Sequence, residues 1–441
     1  MKIFKRVLVL LIVLLVAAVA YNYPKLNIIS GFAAKNMASS IFIANRTEQS
    51  IAKNDNNFPL IKLATANYDP KGTSANVFGL KERTAICRDG LGCALAQNGY
   101  QNKGSYQSPS RANLKNNLPF PYGNNGTKDT VFAEINYNQL QEAVDYAFSV
   151  PEARTRTVLV AYKNRIISEK YIDGFGPDTK ILGWSMTKSV LATLYGILEY
   201  QGKLDINNNY PFKTSNDEGK AKITLNHLLR MQSGLEWDED YGSMSDVNRM
   251  LFLEDDMTKP QAEKDLIAAP GEVWYYSSGT SNLLSGILRK HFVTYQEYLD
   301  FPYTALIDKI GMQSMLIETD LAGNFVGSSY AWANTRDWAK FGLLYLNNGL
   351  WNGEQLFDER WVDYVTSPTP GSAGTYGGHF WLNAHGKYPD VPRDLFSANG
   401  FQGQRVFIIP SKELVVVRTG LAEGANFDVN SFLANIIASI N

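Results

Sequence analysis

The stretch "GWSMTKSVLATLYGILEYQGKLDI", residues 183–206, decides how the chain is read. Ser185 and Lys188 stand three apart, behind a Gly-Trp pair and ahead of a periodic apolar run, Val190, Leu191, Leu194, Ile197 and Leu198, that stops at Gly202. This spacing predicts a helix over 185–201. At its start the two side chains share one face, so the ammonium reaches the hydroxyl. Burial can lower a lysine pKa until it accepts a serine proton, and a helix N-terminus favours charge developing on a substrate oxygen. The competing reading is an N-capping serine beside a solvated lysine. Spacing alone does not separate the two, because Ser50 and Lys53 repeat the pattern in Asn-rich sequence without the periodic helix.

Two β-rich segments flank this helix far apart in the chain. "RTVLVAYKNRIISEKYIDG" (156–174) reads as a hairpin turning at Lys163-Asn164, and "RVFIIPSKELVVVRTG" (405–420) as a second one turning at Pro410–Glu413. Helical spacing marks 137–149, with Leu140, Ala143, Val144 and Ala147 on one face, and also 223–231, 281–292, 297–309, 334–348, 358–365 and the C-terminal "DVNSFLANIIASIN". Hairpins early and late with helices between predict an α+β fold: one antiparallel sheet built from both ends, flanked by helices, with a mostly helical second subdomain.

Upstream, residues 25–130 are rich in Asn, Gly, Ser and Pro and are expected to form an irregular extension wrapped around a domain over 131–441. Residues 1–24 carry Lys2, Lys5 and Arg6, then an apolar run from Val7 to Ala20, then Pro24. That is the layout of a signal peptide, and with Tyr21 and Tyr23 at an interface it also fits a retained inner-membrane anchor. Both readings export the rest of the chain, to the periplasm or to a membrane-anchored position facing it. Cys87 and Cys93, the two cysteines, bracket a short Gly-containing loop, and in an oxidising compartment a disulfide between them is expected. Two cysteines with no nearby histidine make a poor zinc site, so neither metal nor cofactor is called for. A net charge of −1 lacks the basic excess that nucleic acid requires.

A third polar cluster sits in "PGEVWYYSSGTSNLLSGIL" (270–288), where Tyr276 and Ser278 occupy a turn ahead of a helix. A phenol there relays protons, or stands as an ordinary turn tyrosine. These two motifs, with "ITLNHLLRMQSGLEWDEDY" (223–241), "TRDWAKFGLLYLNNGLWNGEQLFDERWV" (335–362) and "ANGFQGQRVFIIPSKELVVV" (398–417), occur in the order found in serine hydrolases related to class C β-lactamases and penicillin-binding proteins. The resemblance spans roughly 135–441 and is nearest to the branch of 6-aminohexanoate-dimer hydrolase and carboxylesterases, through Glu239-Asp240-Tyr241 and Gly403-Gln404.

That resemblance implies a β-lactamase/DD-peptidase-like fold in which Ser185 is acylated, Lys188 is its base and Tyr276 protonates the leaving group. It implies oxyanion or substrate contacts at Phe401, Gln402, Tyr241 and Ser278. Two departures stand out. Ser278 replaces the Asn of the family's Tyr-x-Asn motif, and "NGFQGQ" replaces Lys/His-Thr-Gly, leaving no Lys or His there for a β-lactam carboxylate. An esterase or amidase acting on a small molecule is therefore expected ahead of a β-lactamase, a DD-peptidase or a non-catalytic sensor. His227, His291, His379 and His385 read as structural, and no Gly-x-Ser-x-Gly elbow indicates a Ser-His-Asp triad.

Overall fold

A computed structural model describes residues 2–70, 72–96, 100, 106–112, 118–123, 130–208, 217–422 and 427–440. A six-stranded antiparallel sheet runs in the order Trp381–Leu382, Phe396–Gly400, Gln404–Ile409, Leu414–Gly420, Thr155–Tyr162, Arg165–Tyr171. The early and late hairpins join where Val416 pairs with Val160. All eight residues of Thr155–Tyr162 are buried. Successive strand residues face opposite sides, so Val158 and Val160 pack with Phe407 and Val416 against the helices Tyr137–Ser149 and Val429–Ala438. Leu159, Ala161, Val406 and Ile408 pack on the other face with the helices Met186–Tyr200 and Thr335–Leu346. The turn at Lys163-Asn164 takes left-handed φ of 47° and 60°, as a two-residue hairpin of right-twisted strands requires. Beside this layered unit lie the helices Leu225–Leu229, Asp246–Leu253, Ser278–His291 and Tyr295–Pro302.

The region expected to be irregular is built of regular elements. The helix Leu26–Phe42 packs on a meander of Ala64–Asp69, Gly72–Val77, Leu80–Arg88 and Gly92–Ala96, and Cys87 and Cys93, paired across its last two strands, are joined by a disulfide. The polar residues Thr65, Asn67, Tyr68 and Asp69 of the meander's first strand are exposed. The helix is buried along much of its length, including Ala33, Ala34, Ala38, Ser39 and Ser40, so its sequence shows no narrow apolar stripe. Much of the Asn- and Gly-rich sequence over 97–129 lies outside the described residues.

Buried charges fasten this region to the sheet unit. Lys35 donates at 2.7 Å to Glu318, whose carboxylate also accepts from Ser39, the Cys93 N–H and Trp332. Asp55 accepts two bonds from Arg156, at 2.8 and 2.7 Å, and pairs with Arg46 at 2.6 Å. Arg88 donates to the Thr319 and Asp320 carbonyls at 2.8 and 2.9 Å. Further upstream, the helix Lys2–Asn22 exposes the apolar side chains from Val7 to Leu14. Among the described residues, no helix is long and apolar enough to cross a membrane.

Candidate active site

Ser185 occupies the N-cap position of the helix Met186–Tyr200, at the end of a turn that leaves the short strand Ile181–Leu182. Trp184, just before it, is held at a left-handed φ of 49°, a conformation unfavourable for a bulky side chain and found where surrounding packing imposes it. The packing is visible: the indole stacks on Phe32 at 5.9 Å, meets Phe401 edge-on at 5.6 Å and tilts against Tyr330 at 6.1 Å. Strain at this point turns the serine out of the strand and into the cleft.

One turn into the helix, Lys188 is buried and donates three hydrogen bonds: to Ser185 Oγ at 3.0 Å, Ser278 Oγ at 3.0 Å and the Ser328 carbonyl at 2.9 Å. Three donors meet three neutral acceptors. Loss of hydration is not offset by a contacting carboxylate, so burial pulls the Lys188 pKa down to about 8, with only the nearby charge of Glu239 pushing it back up. The Ser328 carbonyl is positioned because the Ser328 N–H is held by Asn282 at 3.0 Å.

Ser278, at the first turn of the helix Ser278–His291, links the lysine to an acid. Its hydroxyl donates to Glu239 Oε1 at 2.5 Å and its N–H to Oε2 at 2.8 Å, placing a carboxylate at the helix N-terminus. Trp237 Nε1 and the Tyr241 hydroxyl complete the Glu239 shell at 2.6 and 2.8 Å. Tyr241 also lies 3.3 Å from Ser278 Oγ and stacks on Phe401 at 6.0 Å. Tyr276 presents its ring to Lys188, 4.9 Å from Nζ, and is walled by Tyr376 and Trp381. Burial, and then the Glu239 charge, push its phenol pKa up, while Ser185 and the positive charge of Arg405 hold it back. At neutral pH it is a protonated phenol, suited to donating.

The sheet edge closes the site from the other side. A Cβ on Gly400 would come within 2.0 Å of the Gly183 carbonyl, so only glycine lets the edge strand lie against the turn that carries the serine. Phe401, next along the chain, lines the same cleft as Ser185, and Gln402 follows it at a left-handed φ of 57°. Gln402 is buried and Phe401 half-exposed. Arg405 braces the turn by donating to the Gly400 and Gln404 carbonyls at 2.7 and 2.8 Å. Arg405, two positions past Gly403, carries a charge that reaches Tyr276.

The structure therefore draws Ser185, Lys188, Ser278, Tyr276, Tyr241 and Phe401 into one cleft, with Cys87 and Cys93 in the N-terminal meander. Sequence reading passed over Glu239, although it lies two residues before Tyr241 in the quoted "EDY" and both side chains converge on Ser278. It also passed over Ser328 and Phe32, which come from segments carrying no recognisable motif, and Arg405, although that residue lies inside the quoted 398–417 stretch. His379 is buried between Ser281 and the Leu229 carbonyl, and burial pulls its pKa down to about 3, so it stays neutral.

Among the described residues, no group of three or more His, Cys, Asp or Glu side chains is placed to hold a metal. Fold and cleft together define a serine hydrolase. The chain belongs to the Beta-lactamase family, whose model matches residues 151–428. The 6-aminohexanoate-dimer hydrolase of Paenarthrobacter ureafaciens is 24% identical over 297 residues, which are 60% of this chain and 72% of that protein. A family VIII carboxylesterase shares the fold at a TM-score of 0.56 and 16% identity, over 71% of this chain and 98% of its own. A D-stereospecific amidohydrolase from Streptomyces does so at 0.52 and 14%, over 68% and 97%.

Proposed function

We propose that this chain hydrolyses a small-molecule ester or amide through an acyl-enzyme on Ser185. The observation that carries the reading is Lys188: dry, uncontacted by carboxylate, 3.0 Å from Ser185 Oγ and with its pKa drawn down to about 8. In its neutral form Lys188 removes the Ser185 proton as Oγ attacks the carbonyl carbon. The tetrahedral oxyanion lies between the N–H of Ser185 and that of Phe401 or Gln402. As the intermediate collapses, the Tyr276 phenol protonates the departing oxygen or nitrogen, and the Lys188 ammonium returns the proton to the phenol. Water then attacks the acyl-enzyme, giving up a proton by the same route, and the carboxylic acid leaves.

The test is labelling with a fluorophosphonate probe, and turnover of p-nitrophenyl acetate, in the wild type and Ser185→Ala. Labelling and turnover that vanish in the variant support the reading. Neither in the wild type means that the fold serves a non-catalytic binding protein. The second reading is a β-lactamase or DD-peptidase in which Arg405, whose charge reaches Tyr276, receives the carboxylate of a β-lactam or peptide. Brisk nitrocefin hydrolysis would establish that reading.

We further propose that the domain is exported, with residues 1–24 acting as a signal peptide or staying as a membrane tether. The disulfide and the exposed apolar helix behind Lys2, Lys5 and Arg6 support this. Protection of the catalytic region from protease in intact cells, lost when the outer envelope is opened, is the expected outcome.

A further inference from the structure

The open cleft that reaches Ser185 has a volume of about 130 Å³, and eight of its nineteen lining residues lie outside the family-matched 151–428. Ile28, Ile29 and Phe32 of the helix Leu26–Phe42, with Phe58 and Leu60 of the following loop, form one side. Met244, Leu251 and Phe252 form the other, with Trp184 and Phe401 at the end next to the serine. The Asn248 amide bordering it donates to the Asp240 and Ser243 carbonyls and the Ser329 hydroxyl pairs with Ser328, while Lys25, also in its wall, holds its ammonium over the Tyr21 ring at 4.2 Å. A chamber of this kind gives a polar ligand little to bond and an apolar one much to cover.

Its position relative to the serine tells which half of the substrate it takes. Tyr276, packed on Tyr376 and Trp381, does not line it. The leaving group must lie by Tyr276 to receive its proton, which leaves the acyl group pointing the other way, toward Phe32 and Phe252. We infer that the N-terminal region builds an acyl-chain pocket, making the preferred substrates esters or amides of aliphatic carboxylic acids several methylenes long. The inference rests on the acyl-enzyme reading above.

The experiment is kcat/KM of the full chain on p-nitrophenyl esters from acetate through butyrate, hexanoate and octanoate to dodecanoate. The expected result is a rise of roughly fourfold for each methylene that enters the pocket, ending in a plateau when the chamber is full. In Ile28→Asp, which sets a charge on the N-terminal wall, the octanoate-to-acetate ratio is expected to fall at least tenfold. Met244→Trp narrows the chamber from the opposite wall and is expected to lower the same ratio, which keeps the test readable should Ile28→Asp not fold. A flat wild-type series, or a ratio unmoved in folded variants, overturns the pocket. Loss of the acyl-enzyme reading looks different: acetate itself then shows no turnover that depends on Ser185.

Discussion

The two halves of the cleft differ in origin and in how they are held. The chemical half, Ser185, Lys188, Tyr276 and Ser278, lies inside the family-matched 151–428, at the start of the helix Met186–Tyr200 on the six-stranded sheet and at the start of Ser278–His291 beside it. The N-terminal wall of the other half, led by Phe32, lies outside it and is fastened by buried charge, Lys35 to Glu318 and Asp55 to Arg156. On the proposed mechanism a shared scaffold carries the proton transfers, and on the acyl-pocket proposal a separately fastened wall selects what reaches them. Phe32 stacked on Trp184 is where the two meet, one residue from the nucleophile.

The most damaging change to the chemical half alone is at its base. Lys188→Met keeps the stem in its apolar slot and leaves Ser278 bonded to Glu239, so the fold should survive. Loss of the proton acceptor is expected to cut kcat/KM on p-nitrophenyl acetate by about 10²–10⁴-fold. A drop below tenfold would mean that another group takes the Ser185 proton.

The next largest effect strikes the join. Lys35→Met leaves Glu318 ionised and buried with neutral donors only, at a cost of about 3–5 kcal/mol in urea or thermal unfolding. Adding Glu318→Gln should restore part of that loss, because the uncompensated charge goes with it. An additive double variant would show that the pair is not what fastens the N-terminal region. Smaller still is Cys87→Ser. The disulfide closes a loop with a sequence separation of 6, so chain entropy limits the loss to about 2 kcal/mol.

These differences follow what was legible beforehand. The sheet and its helices were, because Val158-Leu159-Val160 and Val415–Val417 are apolar runs rich in β-branched valine and ended by turn residues, and the helices alternate with a 3.6-residue period. The serine, lysine and tyrosine were legible because chemistry constrains their spacing and order. The N-terminal helix was not: buried along much of its length and rich in Ala, Ser and Gly, it resembles no amphipathic template, and its partners Glu318 and Phe252 are distant in sequence. Glu239 escaped for a related reason. A carboxylate in an Asp/Glu-rich loop reads as a solvated surface charge until the fold brings Ser278 and Trp237 against it.

Glu239 offers the subtlest measurement within the chemical half. Its Oε2 meets two obligate donors, Trp237 Nε1–H and the Ser278 N–H, whereas Oε1 meets two hydroxyls, which can also accept. Glu239→Gln, with its NH₂ toward the hydroxyls, therefore retains all four contacts and deletes only the charge. That charge is what holds the Lys188 pKa up against burial. Without it the pKa falls below about 8, a larger fraction of Lys188 is neutral at neutral pH, and the rising limb of kcat/KM against pH moves to lower pH. Tyr276 loses a negative neighbour as well, and burial keeps it a phenol. A limb that stays in place or moves to higher pH would mean that Glu239 acts on Lys188 through the Ser278 hydrogen bond and not through its charge, and Ser278→Ala would then reproduce the effect.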